Sequence, residues 1–135
     1  MAATSTVLIV DDYPDALDVW EVYLRASGFE VLTAVDGNQA LLTASTHLPD
    51  IVVMDLEMPG LTGYEVAREL RAHEATRGIP LIASTGHSHS AQLDEARRCG
   101  FDSIIVKPCE PDALVLEIRR LLAAGPRQGS ASTGQ

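Results

Sequence analysis

The sequence repeats one pattern five times: a short apolar run followed by a helix-length segment. Four of these runs lack polar alternation, as expected for strands that are buried on both faces; they cover residues 7–10, 51–54, 81–83 and 104–106. The fifth run, residues 30–34, alternates more and fits an edge strand, where one face meets solvent.

The segments between the runs place apolar residues near the 3.6-residue helical period. They predict helices over residues 14–27, 37–47, 63–73, 88–98 and 111–123, the fourth ending near Gly100 as a left-handed cap. Strands that alternate with helices require right-handed crossovers and a parallel sheet. The predicted fold is therefore α/β, a three-layer open doubly wound (βα)5 parallel sheet, because a closed barrel needs roughly 250 residues and the chain has 135.

Composition and charge narrow the functional classes. The hydrophobic share of 46% fits a globular domain, and 19 acidic against 10 basic residues give a net charge of −9. That charge repels nucleic acid and anionic membranes, so we expect no direct binding to either. The sequence shows no export signal and no membrane-length apolar run, which favours a cytoplasmic protein. Cys99 and Cys109 are too few for a disulfide framework.

The domain is predicted to span residues 5–123. Residues 124–135 consist largely of flexible-linker residue types, which predicts a disordered tail. The same composition also fits a linker to a further domain.

Acidic, hydroxyl and basic residues follow four of the predicted strands: Asp11 and Asp12, Asp55, Thr85, and Lys107. Each alone is typical of a turn or a helix cap, but their joint position at one edge of a parallel sheet favours a site. Carboxylates ~4 Å apart repel by on the order of 4 kcal/mol at an effective dielectric of 20, so a cation is needed. Mg²⁺ and Lys107 would offset this repulsion and the charge of an incoming phosphoryl group, and Asp55 would accept that group.

Two rival interpretations are weaker. Aspartyl-phosphate phosphatases carry an Asp-x-Asp pattern, which Asp55-Leu56-Glu57 does not match. His87-Ser88-His89 offers two imidazoles without a suitable third ligand, which argues against a metal site there.

These residues, in this order and spacing, resemble the receiver domain of two-component response regulators, the family of the single-domain chemotaxis regulator. The resemblance covers residues 5–123 and rests on five motifs: residues 7–12, residues 55–60 with Gly63, residues 84–86, Gly100, and residues 107–108. It implies a flavodoxin-like strand order, 2-1-3-4-5.

The resemblance also implies a role for each site residue. Asp55 would be the phosphoacceptor, and Mg²⁺ would be held by Asp11, Asp12, Asp55 and the backbone carbonyl of Glu57. Thr85 would be the switch hydroxyl. Lys107 would pair with the phosphoryl group and precede a cis peptide bond to Pro108.

Such a domain takes its phosphoryl group from a histidine kinase or phosphotransfer protein and catalyses only its own phosphorylation and dephosphorylation, so it is not a conventional enzyme. The resemblance implies that it then switches a surface formed by the fourth helix, fifth strand and fifth helix, which binds a downstream protein. We expect a monomer or weak homodimer.

Three positions bear on how such a switch would work. Ile104 stands where the family usually has an aromatic switch residue, so the coupling to Thr85 is expected to differ. Glu57 and His87 flank the site and are predicted to tune the lifetime of the phosphorylated form, unless both simply face solvent. The alternative function is a degenerate receiver that acts only as a protein-docking module.

Overall fold

The computed structural model describes residues 4–86 and 89–125. Within them, five strands alternate with five helices, and their bounds lie within two residues of the predicted ones. The elements are β1 (Thr6–Val10), α1 (Pro14–Ala26), β2 (Glu30–Ala34), α2 (Gly37–His47), β3 (Ile51–Asp55), α3 (Gly63–Ala72), β4 (Leu81–Thr85), α4 (Ser90–Cys99), β5 (Ser103–Val106) and α5 (Pro111–Ala124).

The five strands form one parallel sheet in the order β2-β1-β3-β4-β5. This confirms the predicted fold and strand order. The pairing register aligns Val10, Met54, Ala83 and Ile104 across four neighbouring strands. The residues that follow these four positions therefore emerge together at one edge of the sheet.

Two hydrophobic cores lie on opposite faces of the sheet. Along β1, Val7 and Ile9 pack into a core with α1 and α5, whereas Leu8 and Val10 pack into a core with α2, α3 and α4. This alternation is the period-two geometry of a strand covered on both faces. The chain thus forms the three layers that the sequence predicts.

The prediction that all four purely apolar runs are buried on both faces holds only in part for β5, whose two faces each contact a core but whose residues are half-buried or exposed. This strand pairs only with β4 and is the last of the sheet, and Val106 at its end is 39% exposed. Ile104 and Ile105 are half-buried, each packing against a different core. An apolar sequence is compatible with this edge position because both faces of β5 contact a core, and within the described sheet only its outer edge has no neighbouring strand.

The ends of the predicted domain can be compared with the structure only in part. Helix α5 continues to Ala124, one residue past the predicted boundary, and ends before Gly125. Residues 126–135, predicted to be disordered, lie outside the described residues. None of the helices in the described ranges combines the length and apolarity that crossing a bilayer requires.

Candidate functional site

The carboxyl edge of the sheet brings the predicted site residues together. Asp55 is the last residue of β3 and Thr85 the last of β4, while Asp11 and Lys107 directly follow β1 and β5. Asp11, Asp12 and Asp55 each offer a carboxylate oxygen, and these three oxygens lie within 4.8 Å of one another. The parallel register contributes to this convergence, because it sets the ends of β1, β3, β4 and β5 side by side.

Asp11 and Asp55 are buried, with 9% and 5% of their surface exposed. Each uses its Oδ1 in a local turn: Asp11 accepts the Tyr13 N–H at 3.0 Å, and Asp55 accepts the Glu57 N–H, also at 3.0 Å. Asp11 and Asp55 are therefore turn residues through one carboxylate oxygen each, as their alternative interpretation predicts. These turns fix both carboxylates and leave the Oδ2 atoms for other partners.

Lys107 reaches the same two carboxylates. Its Nζ donates to Asp55 Oδ2 at 3.1 Å and lies 3.9 Å from Asp11 Oδ2. Its backbone N–H donates to the Thr85 carbonyl at 2.7 Å, and its peptide bond to Pro108 is cis, as the resemblance implies. Burial opposes the charged ammonium, but the hydrogen bond to Asp55 and the nearby carboxylate charges outweigh it and raise the pKa of Lys107.

The surroundings of Asp55 disfavour its ionised form. Burial raises the pKa of this carboxyl, and the Glu57 N–H and Lys107, which favour the ionised form, only partly offset the effect. The neighbouring Asp11 charge acts in the same direction as burial. Three oxygen donors in this arrangement suit a hard divalent cation such as Mg²⁺, which would relieve the repulsion.

Gly63 allows α3 to begin directly against the backbone that follows Asp55. A Cβ at this position would lie 2.5 Å from the Asp55 carbonyl oxygen and 2.9 Å from Leu56 Cα. The Gly63 N–H donates to the Leu56 carbonyl at 3.2 Å, and a capping box between Thr62 and Glu65 starts the helix. Gly63 thus has a packing role beside Asp55, because a side chain at this position would meet the backbone of Asp55 and Leu56.

Thr85 makes a contact that the sequence analysis missed. Its side chain is buried, with 1% of the residue exposed, and its Oγ1 donates to Glu57 Oε2 at 2.8 Å. Glu57 follows β3, and Thr85 ends β4, 28 positions later in the chain. No local periodicity in the sequence therefore predicts this bond. The only hint in the sequence is a carboxylate two positions after Asp55.

The three predicted tuning positions have different outcomes. Glu57 is exposed, and its carboxylate accepts the hydrogen bond from the Thr85 hydroxyl. Ile104 is half-buried in β5 and packs against the core shared with α3 and α4. His87 lies outside the described residues.

Comparisons with known proteins bear on this geometry. The family model described as "Response regulator receiver domain" matches residues 7–119. Among curated proteins, the transcriptional regulatory protein PrrA of Mycobacterium tuberculosis is 39% identical over 127 residues, which cover 94% of this chain and 52% of that protein. The DNA-binding response regulator MtrA of Mycolicibacterium smegmatis is 34% identical over 116 residues, 86% of this chain and 50% of that protein. The chain thus spans about half the length of these relatives.

Solved structures share the fold. The chemotaxis protein CheY4 of Vibrio cholerae matches with a TM-score of 0.84 and 30% identity, covering 87% of this chain and 98% of that one. The receiver domain of a sensor histidine kinase from Pseudomonas aeruginosa, solved with magnesium in its active site cleft, gives 0.83 and 31%, covering 90% and 99%. Because the family model covers most of the chain, the protein belongs to the response regulator receiver domain family of two-component systems.

Proposed function

We propose that this receiver domain accepts a phosphoryl group on Asp55 from a histidine kinase or phosphotransfer protein. The observation that carries the proposal is the position of Asp55 Oδ2, 3.1 Å from Lys107 Nζ and beside the carboxylates of Asp11 and Asp12. Receiver domains are signalling modules rather than conventional enzymes. In this proposal the chain catalyses only its own phosphorylation and dephosphorylation.

Asp55 Oδ2 is the attacking atom. Its partner oxygen, Oδ1, is engaged by the Glu57 N–H and holds the carboxylate in one orientation. In the transfer, a bond forms between Oδ2 and phosphorus, the bond from phosphorus to the donor imidazole nitrogen breaks, and that nitrogen keeps the electron pair. The product is an acyl phosphate on Asp55.

The remaining groups of the cluster compensate charge. Asp11, Asp12, Asp55 and the backbone carbonyl of Glu57 would hold Mg²⁺, which when bound neutralises charge on phosphoryl oxygens. Lys107 supplies a second positive charge from the side of the acceptor oxygen, where it already lies. A lysine ammonium is protonated at neutral pH, and the hydrogen bond to Asp55 together with the nearby carboxylates, which outweigh burial, raises its pKa further.

The output surface is proposed to comprise α4, β5 and α5. The Thr85 hydroxyl would donate to the phosphoryl group, and the backbone bond between Thr85 and Lys107 ties the end of β4 to the segment after β5. Val106 on β5 and Leu116 on α5 are exposed apolar side chains available to a protein partner, 39% and 66% exposed. The family usually has an aromatic residue at the position of Ile104 in β5. Isoleucine has no ring to rotate, so we expect the coupling between Thr85 and β5 to differ from the usual one.

The proposal also covers the extent of the receiver unit, its location in the cell, its oligomeric state and its class of partner. The receiver unit is residues 5–123, acting in the cytoplasm as a monomer or weak homodimer. Relatives named as DNA-binding or transcriptional regulators are about twice as long as this chain, whose net charge of −9 disfavours direct contact with nucleic acid. Its downstream partner is therefore proposed to be a protein.

Glu57 and His87 are proposed to tune the lifetime of the phosphorylated form. Glu57→Ala and His87→Ala are expected to change the half-life of that form, measured after removal of the phosphodonor. An unchanged half-life in both variants would contradict this part of the proposal.

The phosphoacceptor assignment is tested by incubating the protein with acetyl phosphate and Mg²⁺ and measuring its intact mass. Wild type should gain the mass of one phosphoryl group, and Asp55→Asn should not. Asp94→Asn is a matched control, because Asp94 is a well-exposed aspartate on α4 that forms an ion pair with Arg97, and it should behave as wild type. No gain in wild type would instead favour the degenerate docking module.

A further inference from the structure

The hydrogen bond between Thr85 and Glu57 occupies the proposed switch hydroxyl before any phosphoryl group arrives. A threonine hydroxyl has one hydrogen to donate. In this structure, Thr85 Oγ1 donates it to Glu57 Oε2 at 2.8 Å. The acceptor is a carboxylate, and hydrogen bonds to charged acceptors are roughly twice as strong as neutral ones.

Glu57 is anchored so that this bond forms at the acceptor site itself. Its backbone N–H donates to Asp55 Oδ1 at 3.0 Å, and from that point its side chain extends to the end of β4. One residue therefore touches Asp55 through its backbone and Thr85 through its side chain.

We propose that the Glu57 carboxylate is a latch that holds Thr85 in its unphosphorylated position by competing with the phosphoryl group for the hydroxyl hydrogen. The inference rests on the proposed function, and it makes Glu57 a positioning residue that acts through Thr85. A phosphoryl group on Asp55 recruits Thr85 only by breaking the bond to Glu57. The latch therefore sets how readily the domain switches, which is a different property from the lifetime of the phosphorylated form.

The first test measures binding of beryllofluoride, a stable phosphoryl mimic, at saturating Mg²⁺. Trp20 borders a small cavity together with Asp11 and Asp55, so its fluorescence is a suitable signal. Glu57→Ala should bind beryllofluoride about tenfold more tightly than wild type, the size expected for losing one hydrogen bond to a charged group. Glu69→Gln, which removes an exposed carboxylate on α3, is the control and should match wild type.

Glu57→Gln separates the latch from simple charge repulsion. Glutamine keeps an acceptor oxygen but loses the charge, so the latch predicts an affinity between those of wild type and Glu57→Ala. Repulsion alone predicts that both Glu57 variants bind equally tightly. In a Thr85→Val background, the latch predicts that Glu57→Ala and Glu57→Gln become equivalent, because no hydroxyl remains to be held.

A second readout needs neither metal nor phosphoryl mimic. In the metal-free protein, the NMR signals of the Thr85 methyl and amide should move in Glu57→Ala, and move less in Glu57→Gln. Unchanged Thr85 signals in Glu57→Ala overturn the latch, as does equal beryllofluoride affinity of the two Glu57 variants. Failure of wild type to bind beryllofluoride would refute the proposed function instead, and the metal-free spectra would still decide whether the latch exists.

Discussion

Replacing Asp55 by asparagine should stabilise the metal-free protein. The substitution keeps the shape of the side chain and an oxygen that accepts the Glu57 N–H, but it removes one negative charge from a buried cluster. In wild type that charge lies 3.1 Å from Lys107 Nζ, and the three clustered carboxylates offer oxygens within 4.8 Å of one another. The attraction and the repulsions therefore oppose each other within one site.

The distances give the size of the effect. At an effective dielectric of 20, the attraction across 3.1 Å is about 5 kcal/mol, and each of the two repulsions, across at most 4.8 Å, is about 3.5 kcal/mol or more. The repulsions win by roughly 2 kcal/mol, and solvent at Asp12 and at the 40% exposed Lys107 side chain weakens all three interactions. We expect a gain of about 1 kcal/mol in the free energy of unfolding, or about 3 °C in Tm.

Thermal and urea unfolding in EDTA at neutral pH measure this gain. Adding Mg²⁺ should narrow the difference, because a bound cation stabilises wild type more than Asp55→Asn. Asp94→Asn, the exposed control, should differ from wild type by no more than about 0.5 kcal/mol. If Asp55→Asn is no more stable than wild type in EDTA, the electrostatic reasoning is refuted.

Three further predictions concern the stability of the fold. Gly63→Ala should lower the free energy of unfolding by about 2 kcal/mol and slow labelling by acetyl phosphate, because the new methyl group meets the Asp55 carbonyl oxygen at 2.5 Å; normal stability by urea unfolding and normal labelling would contradict this. Arg71→Met should lower the free energy of unfolding by about 3 kcal/mol, measured in urea. The Arg71 guanidinium donates to the carbonyls of Arg77, Ile79 and Gly100 and to the Asp102 carboxylate. Arg98→Met, on the exposed face of α4, is the control and should change the free energy of unfolding little. The Glu117 carboxylate accepts hydrogen bonds from Arg120 and Ser103. The bond from Arg120 is the main cause of a lowered pKa at Glu117, and burial opposes it. The ionised carboxylate therefore stabilises the fold above its ordinary pKa of 4.5, and this stabilisation is lost as pH falls through the lowered pKa. Wild type should therefore lose stability more steeply than Glu117→Gln in that acid range, and parallel curves would show that the pair contributes nothing.

The sequence pattern was sufficient to predict a parallel sheet of five strands and the edge at which the candidate site residues meet. Apolar runs mark the strands, and the residues after them mark the edge where Asp11, Asp55 and Lys107 meet. Parallel strands in register leave little freedom in where such residues lie, which explains why the spacing in the sequence carried this information.

The parts that could not be predicted depend on side-chain direction and on position in the sheet. The run at 104–106 does not by itself distinguish an edge strand from an inner one, since both of its faces contact a core, and its edge position followed only from the strand order that the family resemblance implied. The bond from Thr85 to Glu57 depends on the course of the loop after β3, and the hydrogen bonds of Arg71 join three separate segments. Such contacts are tertiary, so no pattern within one segment encodes them.

The identity of the phosphorylated side chain tests the central claim most directly. Treating the acetyl phosphate-labelled protein with borohydride reduces an aspartyl phosphate to homoserine, which peptide mass spectrometry then locates in the chain. The account predicts homoserine at Asp55 alone, dependent on Mg²⁺ and reduced in Lys107→Met. Homoserine at Asp11 or Asp12, or at no aspartate despite a phosphoryl mass gain, would contradict it.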